Sequence, residues 1–226
     1  MKKEILHIIA LDENNSIVNA NNAIKGKAYF CPSCKNELIL KKSGKTGIGS
    51  RRPHFAHKSL TVNCSPESVL HFSFKKMLLE RIKDNINKKI PMNIIMECNI
   101  CHNKILLNIL GNCINVKDEY DMKVCRPDIA LIEEKEKVYA VFEIVVTHKP
   151  EDNIVNYYQQ NDIMLFQIKL DSEDDLENID ETLNKKLQIK TRPSYFNVCM
   201  NPNCITRRRV NRSILNRTIP RRTRRF

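Results

Sequence analysis

The sequence contains no apolar run that approaches the roughly 18 residues of a membrane-spanning helix, so we expect no membrane-bound segment. Its opening stretch, MKKEILHIIALDENN, also lacks a clear small-residue cleavage site. The apolar part of that stretch contains His7 and runs into Asp12 and Glu13, which predicts a first strand and turn rather than an export signal. We therefore expect an intracellular protein in a reducing compartment.

Nine cysteines, several in close pairs, need an explanation in such a compartment. Disulfides are rare there, and closely spaced cysteines indicate metal binding instead. The odd count also argues against a fully bridged framework.

Positive charge is concentrated at one end of the chain. The net charge is +12, and the last 20 residues contain nine arginines and no acidic residue, which leaves about +3 for the rest. This asymmetry predicts a basic tail that binds a polyanion such as DNA or RNA, although acidic protein surfaces and a merely solubilising tail are alternatives. The candidate nucleic-acid contacts are Arg207, Arg208, Arg209, Arg221, Arg222, Arg224 and Arg225.

At 226 residues the chain can bury one good core and a small satellite module. We divide it into a hairpin and zinc-binding module (1–64), an α/β core with an inserted cysteine pair (65–190), and a second cysteine pair with the basic tail (191–226). Ser65 and Pro66 predict the start of an amphipathic helix. Further along, PEDNIVNYYQQ predicts a helix and DIMLFQIKL a buried strand, which together with the preceding strand form a crossover with a parallel strand pair. The acidic segment that follows, DSEDDLENIDETLNKKL, is predicted to be a solvated helix or linker.

A first zinc site is predicted near the N-terminus. Cys31 and Cys34 form a Cys-x2-Cys knuckle, and His57 and Cys64 supply a second pair of ligands, with His54 as an alternative to His57. Zinc takes four nitrogen or sulfur ligands in a tetrahedron, and its binding folds small segments with little core. With four protein ligands the site would be structural. A redox-active dithiol is the other interpretation of the knuckle.

A second zinc site is predicted from Cys98 and Cys101, which lie between two strand-like runs. Their partners would be Cys199 and Cys204, just before the arginine tail. Two further cysteines, Cys113 and Cys125, are alternative ligands, although a lone cysteine is more often a small buried hydrophobe.

Two carboxylates stand on adjacent predicted strands in RPDIALIEEKEKVYAVFEIVVTH, residues 126–148. Asp128 begins the first strand, and Glu143 lies in the second among apolar neighbours. A carboxylate is costly in such surroundings unless a metal or hydrogen bonds satisfy it. A surface hairpin would explain the charged turn EEKEK but not Glu143.

The order of these features resembles that of the competence-protein (CoiA-like) nuclease family, over residues 1 to about 170. The matching runs are Cys31-Pro32-Ser33-Cys34, His54-Phe55-Ala56-His57, Glu67-Ser68 with His71 and Lys75, Arg126-Pro127-Asp128, and Glu143 in EIVVTH. The resemblance implies a restriction-endonuclease-like core of the PD-(D/E)XK type. Such a core is a mixed central sheet flanked by helices, and it cuts DNA with a divalent metal.

The resemblance implies that Asp128 and Glu143 bind Mg²⁺ or Mn²⁺ and that Glu67 completes the site. Helix capping is an alternative reason for Glu67. Glu67, His71 and Lys75 are spaced four residues apart, so they form a stripe along one helix face.

The sequence departs from this family at Val145, where a lysine is expected two residues after Glu143. Lys75 is our preferred replacement, because its long side chain could reach across from the helix. Lys149 lies about 20 Å along an extended strand and needs a bend to approach, and His148 requires the strand to break at Thr147. The leading hypothesis is a metal-dependent endonuclease. The alternatives are an inactive nuclease fold that binds or packages nucleic acid and a zinc-dependent protein-interaction module.

Overall fold

The computed structural model describes residues 7–42, 52–59, 64–98, 100–197 and 199. Its three helices are α1 (Pro66–Lys88), α2 (Asp152–Gln160) and α3 (Ile179–Lys186). The strands of the N-terminal part are β1 (Ile9–Leu11), β2 (Ile17–Asn19), β3 (Tyr29–Phe30), β4 (Glu37–Lys41) and β5 (His54–His57). The later strands are β6 (Asn93–Glu97), β7 (Lys104–Asn108), β8 (Asn115–Asp118), β9 (Ile129–Ile132), β10 (Val138–Val145), β11 (Met164–Lys169) and β12 (Leu187–Thr191).

The N-terminal strands form a small antiparallel sheet in the order β2-β1-β3-β4-β5. Its core is modest and rich in alanine, with Tyr29 and Phe55 as its two large side chains. Val69 of α1 packs into this core, so the module rests on the first turns of the helix. A core this small provides little stability by itself, which is consistent with a structural role for bound metal.

The central sheet has the order β12-β11-β10-β9-β8. Strands β8, β9 and β10 are antiparallel neighbours, and β10 pairs in parallel with β11 across the α2 crossover. The predicted crossover unit and its parallel pair are therefore present, and the protein is a mixed α/β structure. Two strands of this sheet, β8 and β12, were not predicted from the sequence.

Alternate residues of the central strands face two separate apolar cores. One face, which includes Phe142 and Phe166, packs against Leu70, Phe74 and Leu78 of α1. The opposite face packs against α2, where the Tyr158 ring is completely buried. Successive side chains in a strand point to opposite faces, so this double packing follows from the near-continuous apolar runs in β9, β10 and β11.

Helix α1 begins where the sequence predicts. The Ser65 hydroxyl accepts a hydrogen bond from the Ser68 backbone N–H at 3.0 Å, and Pro66 occupies the first helical position. Because Cys64 immediately precedes this cap, a metal bound at Cys64 would fix the start of the helix. None of the helices within the described residues is long and apolar enough to cross a membrane.

The acidic segment after β11 is more ordered and more buried than the predicted solvated helix or linker. A 3-10 turn spans Glu173–Leu176, and α3 follows it. Leu176 and Leu183 are both buried against the main core. The carboxylate of Asp175 is also nearly buried and accepts hydrogen bonds from backbone N–H groups and from Lys186.

Candidate functional site

The first predicted zinc ligands lie together. The Cys31 and Cys64 sulfur atoms are 3.5 Å apart, and the Cys34 sulfur lies 3.3 Å from His57 Nε2. All four ligand atoms lie within 4.8 Å of one another. A zinc ion with Zn–S bonds of about 2.3 Å would separate tetrahedral sulfur ligands by about 3.8 Å, so the group fits such an ion. His54 is outside this group; its Nδ1 contacts the Arg52 carbonyl oxygen.

The backbone around Cys31 explains how the knuckle forms. The Cys31 N–H donates to the Asn36 carbonyl at 2.9 Å, and the Lys35 N–H donates to the Cys31 carbonyl at 3.0 Å. Lys35 adopts a left-handed conformation, with φ of 62°. Burial, reinforced by the neighbouring Cys31 thiol, raises the pKa of Cys64 to about 12, whereas a coordinating metal ion would deprotonate it.

The second cysteine group repeats this geometry. The Cys98 N–H donates to the Asn103 carbonyl at 3.0 Å, the His102 N–H donates to the Cys98 carbonyl at 2.9 Å, and His102 has φ of 56°. Cys199 Sγ lies 3.6 Å from Cys98 Sγ and 3.5 Å from Cys101 Sγ. Backbone N–H groups of Cys101 and Ile100 lower the pKa of Cys98 to about 7, which favours the thiolate that binds metal.

These three cysteines could hold a metal such as zinc, because their sulfur atoms also lie within 4.8 Å of one another. The predicted fourth ligand, Cys204, lies outside the described residues, as do the seven arginines of the tail. The alternative ligands are elsewhere: Cys113 Sγ donates to the Asn115 carbonyl, and Cys125 Sγ donates to the Tyr158 hydroxyl.

The carboxylates of Asp128 and Glu143 line one open cleft of about 500 Å³. Glu67 and His71, one turn apart on α1, line the same cleft. The complete lining is Ser65, Glu67, Ser68, His71, Phe72, Asp128, Glu143, Ile144, Val145, Val146, Thr147, His148, Lys149 and Pro150. The fold therefore brings four of the candidate residues, from helix α1, strand β10 and the residue that precedes β9, to a single concave surface.

The Asp128 carboxylate is held in place by several neighbouring groups. Its Oδ2 accepts a hydrogen bond from the Ile144 backbone N–H at 2.8 Å and lies 3.0 Å from His71 Nε2. Lys75 Nζ lies 4.0 Å from Asp128 Oδ1 and also contacts the Glu119 carboxylate. Lys75 is nearly buried and sits beside Asp128, outside the residues that line the cleft. The sequence did not indicate Glu119, which lies 44 residues from Lys75.

The surroundings of Glu143 disfavour its ionised form. Burial and the nearby Asp128 carboxylate raise the pKa of Glu143 to about 8. Its Oε1 accepts a hydrogen bond from the Tyr158 hydroxyl at 3.0 Å, which opposes the rise. A site that keeps two carboxylates close together at such a cost is typical of a binding site for a cation.

The strand that carries Glu143 ends at Val145, and the chain bends at residues 146 and 147. This bend lets His148 and Lys149 line the cleft, which an extended strand would have prevented. Val145, at the position where the family resemblance predicts a lysine, is buried.

The raised pKa of Glu143 predicts a pH-dependent stability in zinc-containing buffer without Mg²⁺ or Mn²⁺. The folded protein favours the protonated carboxyl, so this stabilisation is complete below about pH 4.5 and is lost as the pH rises through about 8. We expect Glu143→Gln to raise the free energy of unfolding at pH 8.5 by roughly 1–3 kcal/mol and to change it little at pH 5. Urea unfolding at both pH values measures this difference, and equal stabilisation at both would contradict the assignment.

The contact of Tyr158 with Glu143 was not predicted from the sequence, because only the fold places the Tyr158 hydroxyl on Glu143. Tyr158→Phe removes this donor, so the pKa of Glu143 should rise further. If the cleft is catalytic, we expect about a tenfold lower cleavage rate at pH 7 that recovers at higher pH. Tyr157→Phe is the matched control, and identical pH–rate profiles for the two variants would contradict a positioning role for Tyr158.

The N-terminal part of the chain is similar to known proteins. Residues 13–67 match the family model of the competence protein CoiA N-terminal domain. A stretch of 66 residues is 36% identical to competence protein CoiA of Bacillus subtilis (strain 168), which corresponds to 28% of this chain and 16% of that relative. No solved structure matches the chain. The similarity supports the competence-protein resemblance for the N-terminal module.

Proposed function

We propose that this protein is a metal-dependent endonuclease that acts on DNA and is stabilised by zinc. The observation that carries the proposal is the cleft that Asp128 and Glu143 line together with Glu67 and His71. The mixed sheet with helices packed on both faces supports a restriction-endonuclease-like core. The N-terminal similarity to a competence protein supports the family resemblance from which this core is proposed.

The cleft provides the ligands that Mg²⁺ and Mn²⁺ prefer. Both ions bind carboxylate oxygens, and Mg²⁺ usually keeps several waters beside one or two protein carboxylates. Asp128 and Glu143 would hold the ion, and Glu67 would bind it through water or complete its ligand set. A bound divalent ion would lower the pKa of a water molecule and offset negative charge on the scissile phosphate.

The protein's own residues keep these ligands in place. The Ile144 N–H and the His71 ring fix the Asp128 carboxylate, and the Tyr158 hydroxyl fixes Glu143. Lys75 adds a positive charge beside Asp128, which offsets the repulsion between the two carboxylates. Fixed ligands of this kind reduce the reorganisation that the reaction requires.

The experiment that tests the function uses the full, zinc-loaded chain with supercoiled DNA, single-stranded DNA and single-stranded RNA. We expect cleavage of DNA in Mg²⁺ or Mn²⁺ and none without added divalent ions. Ca²⁺ serves as the control ion. Cleavage that is independent of divalent ions, or cleavage of RNA alone, would contradict the proposal.

One observation favours a second function, a nuclease fold that binds nucleic acid without cutting it. Val145 is buried and apolar where a lysine would otherwise stand near the reacting water. Under this alternative, wild-type protein binds DNA in a salt-dependent manner and leaves it intact in every divalent ion. The same cleavage experiment therefore separates the two functions.

Lys75 is the cation that we propose in place of the missing lysine, and its removal gives a further prediction. Lys75→Met should lower the DNA cleavage rate by about 100- to 1,000-fold, because it removes a fixed positive charge 4.0 Å from Asp128. Lys149→Met removes the exposed lysine that lines the cleft and should cost less than about tenfold.

Single-turnover cleavage rates measure both variants, and thermal unfolding of each variant checks that the fold is retained. The reverse order, with Lys149→Met the slower variant, would assign the cation to Lys149. Equal and full activity of both variants would show that neither lysine takes part.

A further inference from the structure

The positive charge of this protein lies at its two ends, and the part that contains the carboxylate cleft is acidic. Residues 1–64 contain eleven Lys and Arg against four Asp and Glu, and residues 207–226 contain nine Arg and no acid. Residues 65–206 contain 18 Lys and Arg against 22 Asp and Glu, a net charge of −4. Because like charges repel, a polyanion that reaches this cleft must be held by the flanking segments.

The N-terminal module has a concave, lysine-lined surface that could hold a polyanion. An open cleft of about 400 Å³ lies between the turn at residues 25–27 and strand β4. We call it the lysine cleft and define it by its lining: Lys25, Gly26, Lys27, Ala28, Glu37, Leu38, Ile39, Leu40 and Lys58. Three lysines and one glutamate give this cleft a net positive charge.

Hydrogen bonds to the buried Tyr29 side chain hold the turn that carries Lys25 and Lys27. The buried Tyr29 hydroxyl accepts a hydrogen bond from the Ile24 N–H at 2.8 Å and donates one to the Ile24 carbonyl at 3.1 Å. Gly26 has φ of +87°, a left-handed conformation that glycine adopts without strain. Lys25 and Lys27 therefore project from a rigid turn, which lowers the entropy lost when they bind a partner.

Lys58 stands on the other side of the cleft. Its Nζ lies 3.0 Å from Glu37 Oε2, and both side chains are about half exposed. A surface ion pair of this kind is weak, so a phosphate could replace the glutamate as the partner of Lys58. Three ammonium groups around one concave surface suit a partner with repeated phosphates better than a single carboxylate.

We propose that the lysine cleft binds the sugar-phosphate backbone of nucleic acid, as a second contact separate from the arginine tail. This inference rests on the proposed function, because it assigns a substrate-holding surface to the same enzyme. Lys25 and Lys27 are the principal contacts, and Lys58 is the third. Binding is independent of base sequence, because the contacts are to phosphates.

The test compares full-length, zinc-loaded proteins by fluorescence anisotropy with a labelled DNA oligonucleotide over a range of salt concentrations. One variant carries Lys25→Ala and Lys27→Ala. The matched control carries Lys83→Ala and Lys190→Ala, two exposed lysines outside the module that give the same change of net charge. Zinc content and far-UV circular dichroism verify that every protein is folded.

We expect the lysine-cleft variant to bind DNA about five- to tenfold more weakly near 100 mM salt. The slope of log K against log salt should become less steep by about one to two, because each lost phosphate contact changes it by about 0.9. The control pair should change the affinity by less than about twofold. A polyglutamate peptide, measured in parallel, should bind no more weakly to the cleft variant than to the control.

Equal affinities and slopes for the two variants would overturn the proposed binding of DNA by the lysine cleft and leave the proposed nuclease function intact. Loss of polyglutamate binding with unchanged DNA binding would reassign the cleft to an acidic protein partner and overturn the inference. Wild-type protein that does not bind DNA even at about 50 mM salt would overturn both the inference and the proposed function.

Discussion

Cys34→Ser should unfold the N-terminal module and release its zinc. The apolar core of that module is small, with only Tyr29, Phe55 and Leu38 as larger side chains of its own, which is too little to fold it alone. Structural zinc supplies apparent binding energies of about 10–16 kcal/mol in zinc-finger peptides, and most of this would be lost with a ligand. We expect the zinc content to fall by one ion per chain and proteolysis to begin within residues 1–64.

The unfolding caused by Cys34→Ser should extend to the carboxylate cleft, because Cys64 immediately precedes the Ser65 cap of α1. Glu67 lies in the first turn of that helix and would lose its fixed position. Cys113→Ser is the matched control, since Cys113 lies outside both cysteine groups. Elemental analysis and limited proteolysis measure the outcome. A Cys34→Ser protein with unchanged zinc content and protease resistance would show that the four residues are not a zinc site.

Glu143→Gln should lower the DNA cleavage rate by at least about 1,000-fold, because the neutral amide removes the charge of a side chain that we propose as a ligand of the divalent ion. The same variant should be more stable than the wild type at pH 8.5 without Mg²⁺ or Mn²⁺, as derived above from the raised pKa of Glu143. DNA affinity should stay within about threefold. A gain in stability together with a loss of activity is characteristic of a functional carboxylate.

Glu136→Gln controls for the loss of one negative charge, because Glu136 is an exposed residue of the turn between β9 and β10. It should leave the cleavage rate unchanged. Single-turnover cleavage in Mn²⁺ measures both variants. If Glu143→Gln retains more than about a tenth of the wild-type rate, Glu143 is not a ligand of the catalytic ion.

Local chemistry made part of this structure predictable. The Cys-x2-Cys knuckle, the Ser65–Pro66 helix start and the helix–strand crossover after β10 each depend on residues close together in the sequence. The grouping of Asp128 with Glu143 was predictable for the same reason, because adjacent strands of a hairpin place their residues side by side. The grouping of His57 and Cys64 with the knuckle was predictable from the chemistry of zinc ligands.

The remaining features depend on contacts between distant residues. Strand β8 has a single buried side chain, Val116, so its sequence gives no alternating pattern. The contact between Lys75 and Glu119 spans 44 residues, and only the packing of α1 against β8 creates it. The hydrogen bond from Tyr158 to Glu143 requires the α2 crossover to lie on the correct face of the sheet. No local pattern contains that information.

The acidic segment shows why composition alone misled the prediction. Its many carboxylates indicated a solvated helix or linker, yet the sparse apolar residues Leu176 and Leu183 lie in the main core. Asp175 is buried as well, with backbone donors and Lys186 as partners. A few correctly spaced apolar residues are enough to dock a charged segment when the charges face outward or are paired.

A catalytic role for the carboxylate cleft is tested by nicking of supercoiled DNA in Mn²⁺ with the zinc-loaded wild-type protein and with Asp128→Asn. We expect metal-dependent nicking by the wild type and essentially none by the variant, with DNA binding retained by both. Intact DNA with both proteins, or equal nicking by both, would contradict a catalytic role for the carboxylate cleft.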